Sequence, residues 1–199
     1  RQASRCPNPD DDAVTLSRPA RLITDTLAPA NLVIAILLII GWHSTSNVTG
    51  LGWGVLAALF CGGIPFAVIV LGVKRGSWTD KHIRVREQRA VPLLATMTSV
   101  LVGISLLVAF KAPREVFALV VAMLVGLIVT MIVTVWWKVS VHTAVASGVV
   151  VILLLAYGMS MAPLTLGIAA IGWSRVALRD HTPAQTVVGA LLGGLAAAV

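Results

Sequence analysis

The sequence predicts an all-α protein: a polytopic transmembrane bundle of six or seven helices with a polar site at one membrane face. Three observations carry that expectation. Hydrophobic residues make up 58% of the 199 and charged residues 12%, about half the charged share of an ordinary soluble domain. The apolar residues gather into seven long runs. One polar string, Trp173-Ser174-Arg175-Val176-Ala177-Leu178-Arg179-Asp180-His181-Thr182-Pro183-Ala184-Gln185, is pressed between two of those runs. Arg, Asp and His are costly in lipid and mark functional positions there.

Residues 1–21 form a polar N-terminal tail. Pro7, Pro9 and the acidic run Asp10-Asp11-Asp12 give it a composition expected to be weakly ordered or to lie along a surface. Residues 22–199 are read as one transmembrane domain. Its apolar runs cover 26–42, 51–73, 91–110, 115–137, 143–160, 162–178 and 183–199. A helix needs about 20 residues to cross the hydrocarbon, with a range of about 17–25. The second, third and fourth runs meet that easily. The first and the last two are near the lower limit, so the expected number is six or seven. Gly189 and Gly193, joined by Gly194, form a G-x-x-x-G step in the last run. That spacing lets helices approach closely, and packing within the bundle is expected in preference to a dimer seam. Trp136, Trp137 and Trp173 stand where apolar runs meet polar segments, as interfacial aromatic residues do.

The net charge of +7 is not a nucleic-acid signature, because the bases sit in the loops between runs, where they govern topology. With seven crossings, 13 of the 15 Lys and Arg residues fall on one side: four in the tail, six between runs two and three, Lys138, Arg175 and Arg179. Lys111 and Arg114 fall on the other. The positive-inside rule then places the tail and the three polar loops in the cytoplasm. Cys6 lies in the tail and Cys61 in an apolar run, which suggests no disulfide.

Three loops on that face each bring a polar cluster. The first runs from Asp80 to Arg89, the second is Lys138-Val139-Ser140-Val141-His142, and the third is Ser174-Arg175, five residues, His181. Together they offer cations, two histidines and small hydroxyls. Arg presents a planar fork of donors to phosphate oxygens, and Lys adds a compact charge. One His can attack phosphorus while a second protonates the leaving oxygen. Ser140 and His142 stand where the fifth run begins, so a helix N-terminus can add its N–H groups and dipole.

The order and spacing of these clusters resemble the three motifs of the type-2 phosphatidic acid phosphatase superfamily, which are integral-membrane lipid phosphatases. The third motif of that family reads S-R, five residues, H, three residues, D; here Ser174-Arg175, His181 and Gln185 stand at those positions. The second reads P-S-G-H, matched by Ser140 and His142. The first reads K, six residues, R-P; Arg89 matches, His82 stands at the lysine position, and Lys81 is one residue earlier. The resemblance covers residues 80–199. It implies that His181 is a nucleophile forming a phosphohistidine, with Gln185 in the place of its orienting acid. It implies that His142 is the general acid. Arg89, Arg175 and Ser140 would hold the phosphate, with Lys81 or His82 completing the first motif. No metal and no other cofactor would be needed.

The expected function is removal of a phosphate monoester from a membrane lipid, polyprenyl-linked first and phosphatidyl-type second. Its setting would be a bacterial plasma membrane, with the active face cytoplasmic. The expected partners are that lipid and the bilayer, with no nucleic acid; a homo-oligomer is compatible with the sequence. The alternative is a non-catalytic binder or carrier of anionic lipid phosphates, which Gln185 favours. A small transporter is a third reading, but paired half-chain repeats and broken helices are not evident in the sequence.

Overall fold

A computed structural model describes residues 9–75 and 90–198, with the backbone path alone for 9–17 and 90–93. Among the described residues the chain is all-helical, with no strand. The helices are α1 (Pro9–Thr26), α2 (Pro29–Thr45), α3 (Val48–Ala58), α4 (Ile64–Lys74), α5 (Ala90–Ala109), α6 (Arg114–Trp136), α7 (Val141–Tyr157), α8 (Thr165–Ala177) and α9 (Pro183–Ala198). α3 and α4 are continuous through a π-turn over Leu59–Gly63.

Two of these elements are long and apolar enough to cross a membrane: Val48–Lys74, of 27 residues, and Arg114–Trp136, of 23. A third candidate is the pair Arg18–Thr26 and Pro29–Thr45, bent by 42°. Large apolar side chains stay exposed around the bundle, among them Leu155 at 69%, Leu166 at 74% and Leu195 at 67%. A water-soluble surface rarely carries apolar exposure on that scale. The chain is a membrane protein.

All seven apolar runs are helical, but the sixth is shorter than expected. Gly158 takes a φ of 80° and ends α7. A 3-10 turn follows over Met159–Leu164, containing Pro163, and it consumes the start of the run. α8 keeps 13 residues, about 20 Å at 1.5 Å per residue, less than the ~30 Å hydrocarbon thickness. The tail also departs from expectation. The helix α1 enters it, and its end packs on α8, with Ala20 and Thr24 buried. The Thr24 hydroxyl donates to Ser174 Oγ at 3.1 Å, because the Ser174 hydroxyl is itself committed to the Ile171 carbonyl at 2.8 Å.

The π-turn shows how a carbonyl inside the bundle finds a donor. The Ile64 N–H bonds to the Leu59 carbonyl, five residues back. In that register the nitrogen of residue 65 would meet the Phe60 carbonyl, but Pro65 carries no hydrogen. The Ser99 hydroxyl of α5 supplies the missing donor at 2.6 Å. Ser99→Ala is therefore expected to cost about 1–3 kcal/mol, the penalty for an orphaned buried polar group, read as a lowered unfolding midpoint in detergent.

The main buried cluster joins Ile36, Leu37 and Ile40 of α2 to Val116, Leu119 and Val120 of α6, with Leu107 and Leu153. α9 lies tightly on α7. A Cβ at Gly189 would sit 2.5 Å from the Ser140 carbonyl oxygen, and one at Gly193 would overlap the Ala144 backbone. The G-x-x-x-G step thus serves packing within the bundle. Both glycines are where the two backbones meet, so the space for a side chain does not exist.

The helix directions gather the polar segments. The Ser140 N–H donates to the Gln185 carbonyl at 3.2 Å, so α7 and α9 begin side by side. At the far end His43 of α2 rests on Tyr157 of α7, ring centroids 4.8 Å apart, so α2 and α7 run in the same direction. The α1–α2 junction, the α6–α7 link and the α8–α9 link consequently meet at one end of the bundle.

Candidate functional site

α8 ends in a turn whose usual glycine is missing. The Asp180 N–H donates to the Arg175 carbonyl at 3.1 Å and the Arg179 N–H to the Val176 carbonyl at 2.9 Å, the paired bonds of a Schellman ending. The left-handed residue is Arg179, with φ 55°. Holding a non-glycine residue there costs on the order of 1–3 kcal/mol, and such strain collects at functional sites. The turn folds the chain back onto α8. It sets the Asp180 carboxylate 2.9 Å from the Arg175 guanidinium, with side-chain exposures of only 7% and 4%.

The next residues open α9. The Gln185 N–H donates to Thr182 Oγ1 at 3.3 Å, and the Thr182 N–H donates to Gln185 Oε1 at 3.2 Å. These reciprocal bonds are a capping box, with Pro183 at the first helical position. The box also orients His181. Because the Thr182 N–H can only donate, the Gln185 atom facing it is the amide oxygen. That same oxygen lies 3.1 Å from His181 Nδ1, so Nδ1 is the ring nitrogen placed to donate to it.

The α6–α7 link supplies the rest. Lys138 Nζ donates to the Asp180 carbonyl at 2.6 Å. Ser140 caps α7 by accepting from the Thr143 N–H at 3.4 Å, and it is fully buried. The Thr143 hydroxyl donates to the Thr186 carbonyl at 2.9 Å, which fastens the two helix starts together. His142, one residue into α7, is 7% exposed.

A cavity of about 450 Å³ opens onto these groups. Lys138, His142, Arg175, Asp180 and His181 line it, as do Asp25 and Asn31 of the α1–α2 junction. Asn31 Nδ2 donates to the Thr26 carbonyl at 3.0 Å and to that of Asp25 at 3.3 Å. The cavity continues between α2, α4, α6, α7 and α9 along apolar side chains.

Of the residues expected from the sequence, His142, Arg175 and His181 are brought to one cavity, and Gln185 holds the His181 ring. Ser140 is placed differently. It is outside the cavity lining, and its hydroxyl is used as a helix cap rather than turned toward a ligand. Lys81, His82 and Arg89 lie outside the described residues. Sequence reasoning gave Lys138 no individual role and did not single out Asp25 or Asn31. A lysine at the end of an apolar run reads as a topological anchor, and the other two belong to no motif. The Thr182-x-x-Gln185 capping pattern was available as a signal. The Asp180 carboxylate pairs with Arg175.

Comparisons with protein-family models, with curated proteins and with solved structures return no match to this chain.

Proposed function

We propose that this protein is a metal-independent lipid phosphate phosphatase working through a phosphohistidine. The observation that carries the reading is the orientation of His181: Gln185 Oε1 faces Nδ1 at 3.1 Å, which in the neutral ring leaves the lone pair on Nε2, in a cavity shared with Arg175, Lys138 and His142. The resemblance of the Ser174-Arg175…His181 spacing to the phosphatidic acid phosphatase motif supports the same roles.

In the first step His181 Nε2 forms a bond to phosphorus. The ester P–O bond breaks, its electron pair leaves with the lipid oxygen, and a protonated His142 gives that oxygen a proton. In the second step water attacks the phosphohistidine and His142 takes a water proton. The P–N bond breaks, its electron pair returns to Nε2, and free phosphate leaves. Arg175 and Lys138 stabilise charge on the transferring group, with Arg89, Lys81 or His82 as candidates for the remaining contact. The substrate would be polyprenyl-linked or, second, phosphatidyl-type. The helices would make six or seven crossings of a plasma membrane with this end in the cytoplasm. Trp136 and Trp173, 76% and 44% exposed, suit the interface at that end.

One observation favours the second reading, a binder of anionic lipid without turnover. Asp180 sits on Arg175 and offsets part of its charge, while Gln185 brings no negative charge to steady a charged imidazole. The test is phosphate release from a panel of lipid phosphates without added metal, together with lipid binding. Release that needs His181 supports the enzyme. Tight binding with no release from any substrate supports the binder and removes the enzyme.

Gln185 offers a sharper exchange. Gln185→Glu keeps the length that spans to Nδ1 and Thr182 and adds the missing charge, so release is expected to rise. Gln185→Asp is one methylene shorter and is expected to keep or raise the rate. A collapse in both, with the fold intact by circular dichroism, would show that this position does not orient the nucleophile.

A further inference from the structure

We infer that the cavity is the seat of the lipid tail as well as of its phosphate, and that it accepts a single chain of limited length. This rests on the phosphatase reading for the nature of the head group. The polar side chains gather at one end, with Lys138, His142, Arg175 and His181 as the groups that suit an anion. From there the lining turns apolar along Ile36, Val100, Met123 and Ile152. His142 and Ile152 stand on one helix, so the lining extends about 15 Å along α7, half of a ~30 Å hydrocarbon core. The lining therefore pairs a charged end with an apolar shaft one leaflet deep.

Small residues make the room. Gly126 and Ala122 of α6 and Ala196 and Ala197 of α9 line the shaft. At about 450 Å³ the space falls within the roughly 300–1,000 Å³ of sites that enclose one drug-sized molecule. That is room for one chain with its head group and not for two. A tail held inside the bundle would fix the depth of the phosphate against His181, and a chain longer than the shaft would gain nothing further.

The experiment is calorimetric binding of alkyl phosphonates from methyl to decyl to the full chain in detergent, with inorganic phosphate as the headgroup-only arm. The C–P bond of a phosphonate is not hydrolysed, so binding is read apart from turnover. Affinity is expected to rise with chain length by up to about fourfold per methylene, the fold-change equivalent of ~0.8 kcal/mol per buried CH₂, and then to stop rising. Gly126→Leu is expected to move that stop to a shorter chain while leaving methylphosphonate binding unchanged. A Cβ at Gly126 would meet only the Ala196 Cβ at 3.5 Å, an ordinary contact. Ala122→Leu, one turn away on the same face, is the companion if that variant does not fold. Affinity independent of chain length, or an unshifted stop in a folded variant, would overturn the inference. Length-dependent phosphonate binding without hydrolysis of any lipid phosphate would instead overturn the phosphatase and leave the tail site standing. Hydrolysis without length dependence would do the reverse.

Discussion

His181→Ala is expected to abolish phosphate release, by at least about 10³-fold, while the protein still folds and still binds lipid phosphate. On the proposed mechanism no other group makes the bond to phosphorus, so removing it takes away the covalent route rather than slowing one step of it. His142→Ala removes proton transfer alone and is expected to cost about 10²–10⁴-fold. A substrate whose leaving alcohol is acidic needs no proton from His142 in the first step, so a first-turnover burst of alcohol should recover in His142→Ala, with slow hydrolysis of the phosphohistidine after it, and no burst should appear in His181→Ala. That contrast assigns the two roles. In the wild type, quenching at alkaline pH, where the acid-labile P–N bond survives, should show phosphate on histidine, and the signal should vanish in His181→Ala. Retention of full activity in His181→Ala would end the phosphohistidine reading.

Asp180→Ala is expected to lower stability by about 3–5 kcal/mol. It leaves the 4%-exposed Arg175 side chain without the carboxylate 2.9 Å away, and breaking a buried ion pair on one side carries that penalty. The loss should appear as a lowered unfolding midpoint in detergent. Replacing both partners, as in Arg175→Met with Asp180→Leu, is expected to cost much less than Asp180→Ala alone, because no buried charge is left behind. The double variant should nevertheless bind no phosphate, which separates the structural share of the pair from its share in ligand binding. A double variant less stable than Asp180→Ala would show that the two residues act independently.

Much of this arrangement was legible beforehand, and for identifiable reasons. Each of the seven apolar runs is helical because continuous apolar sequence in lipid has few ways to satisfy its backbone other than an α-helix. The α6–α7 and α8–α9 links meet because α7 and α8 run in opposite directions between them, a reversal that the order of the runs already suggests. The hydrogen bond from His181 to Gln185 follows from a four-residue spacing across a helix start. The turn that returns Asp180 to Arg175 was not legible. It depends on Arg179 at φ 55°, a conformation for which Arg is a poor signal. Ser140 was ambiguous for a related reason: a serine before a helix serves equally as a cap and as a ligand, and the structure shows its hydroxyl accepting from the Thr143 N–H as a cap.

What the residues alone determine here is chemistry and order: a lipid-embedded, all-helical chain whose two histidines and a paired arginine fall at helix boundaries. Those follow from local physics, from hydrophobicity and spacing, and need no knowledge of neighbours. The tertiary structure decided that Lys138 reaches the Asp180 carbonyl, that His142 shares a cavity with His181, and that an apolar shaft leads away from both. Each of these depends on atoms far apart in the chain coming within a few ångströms, and no local pattern encodes that distance.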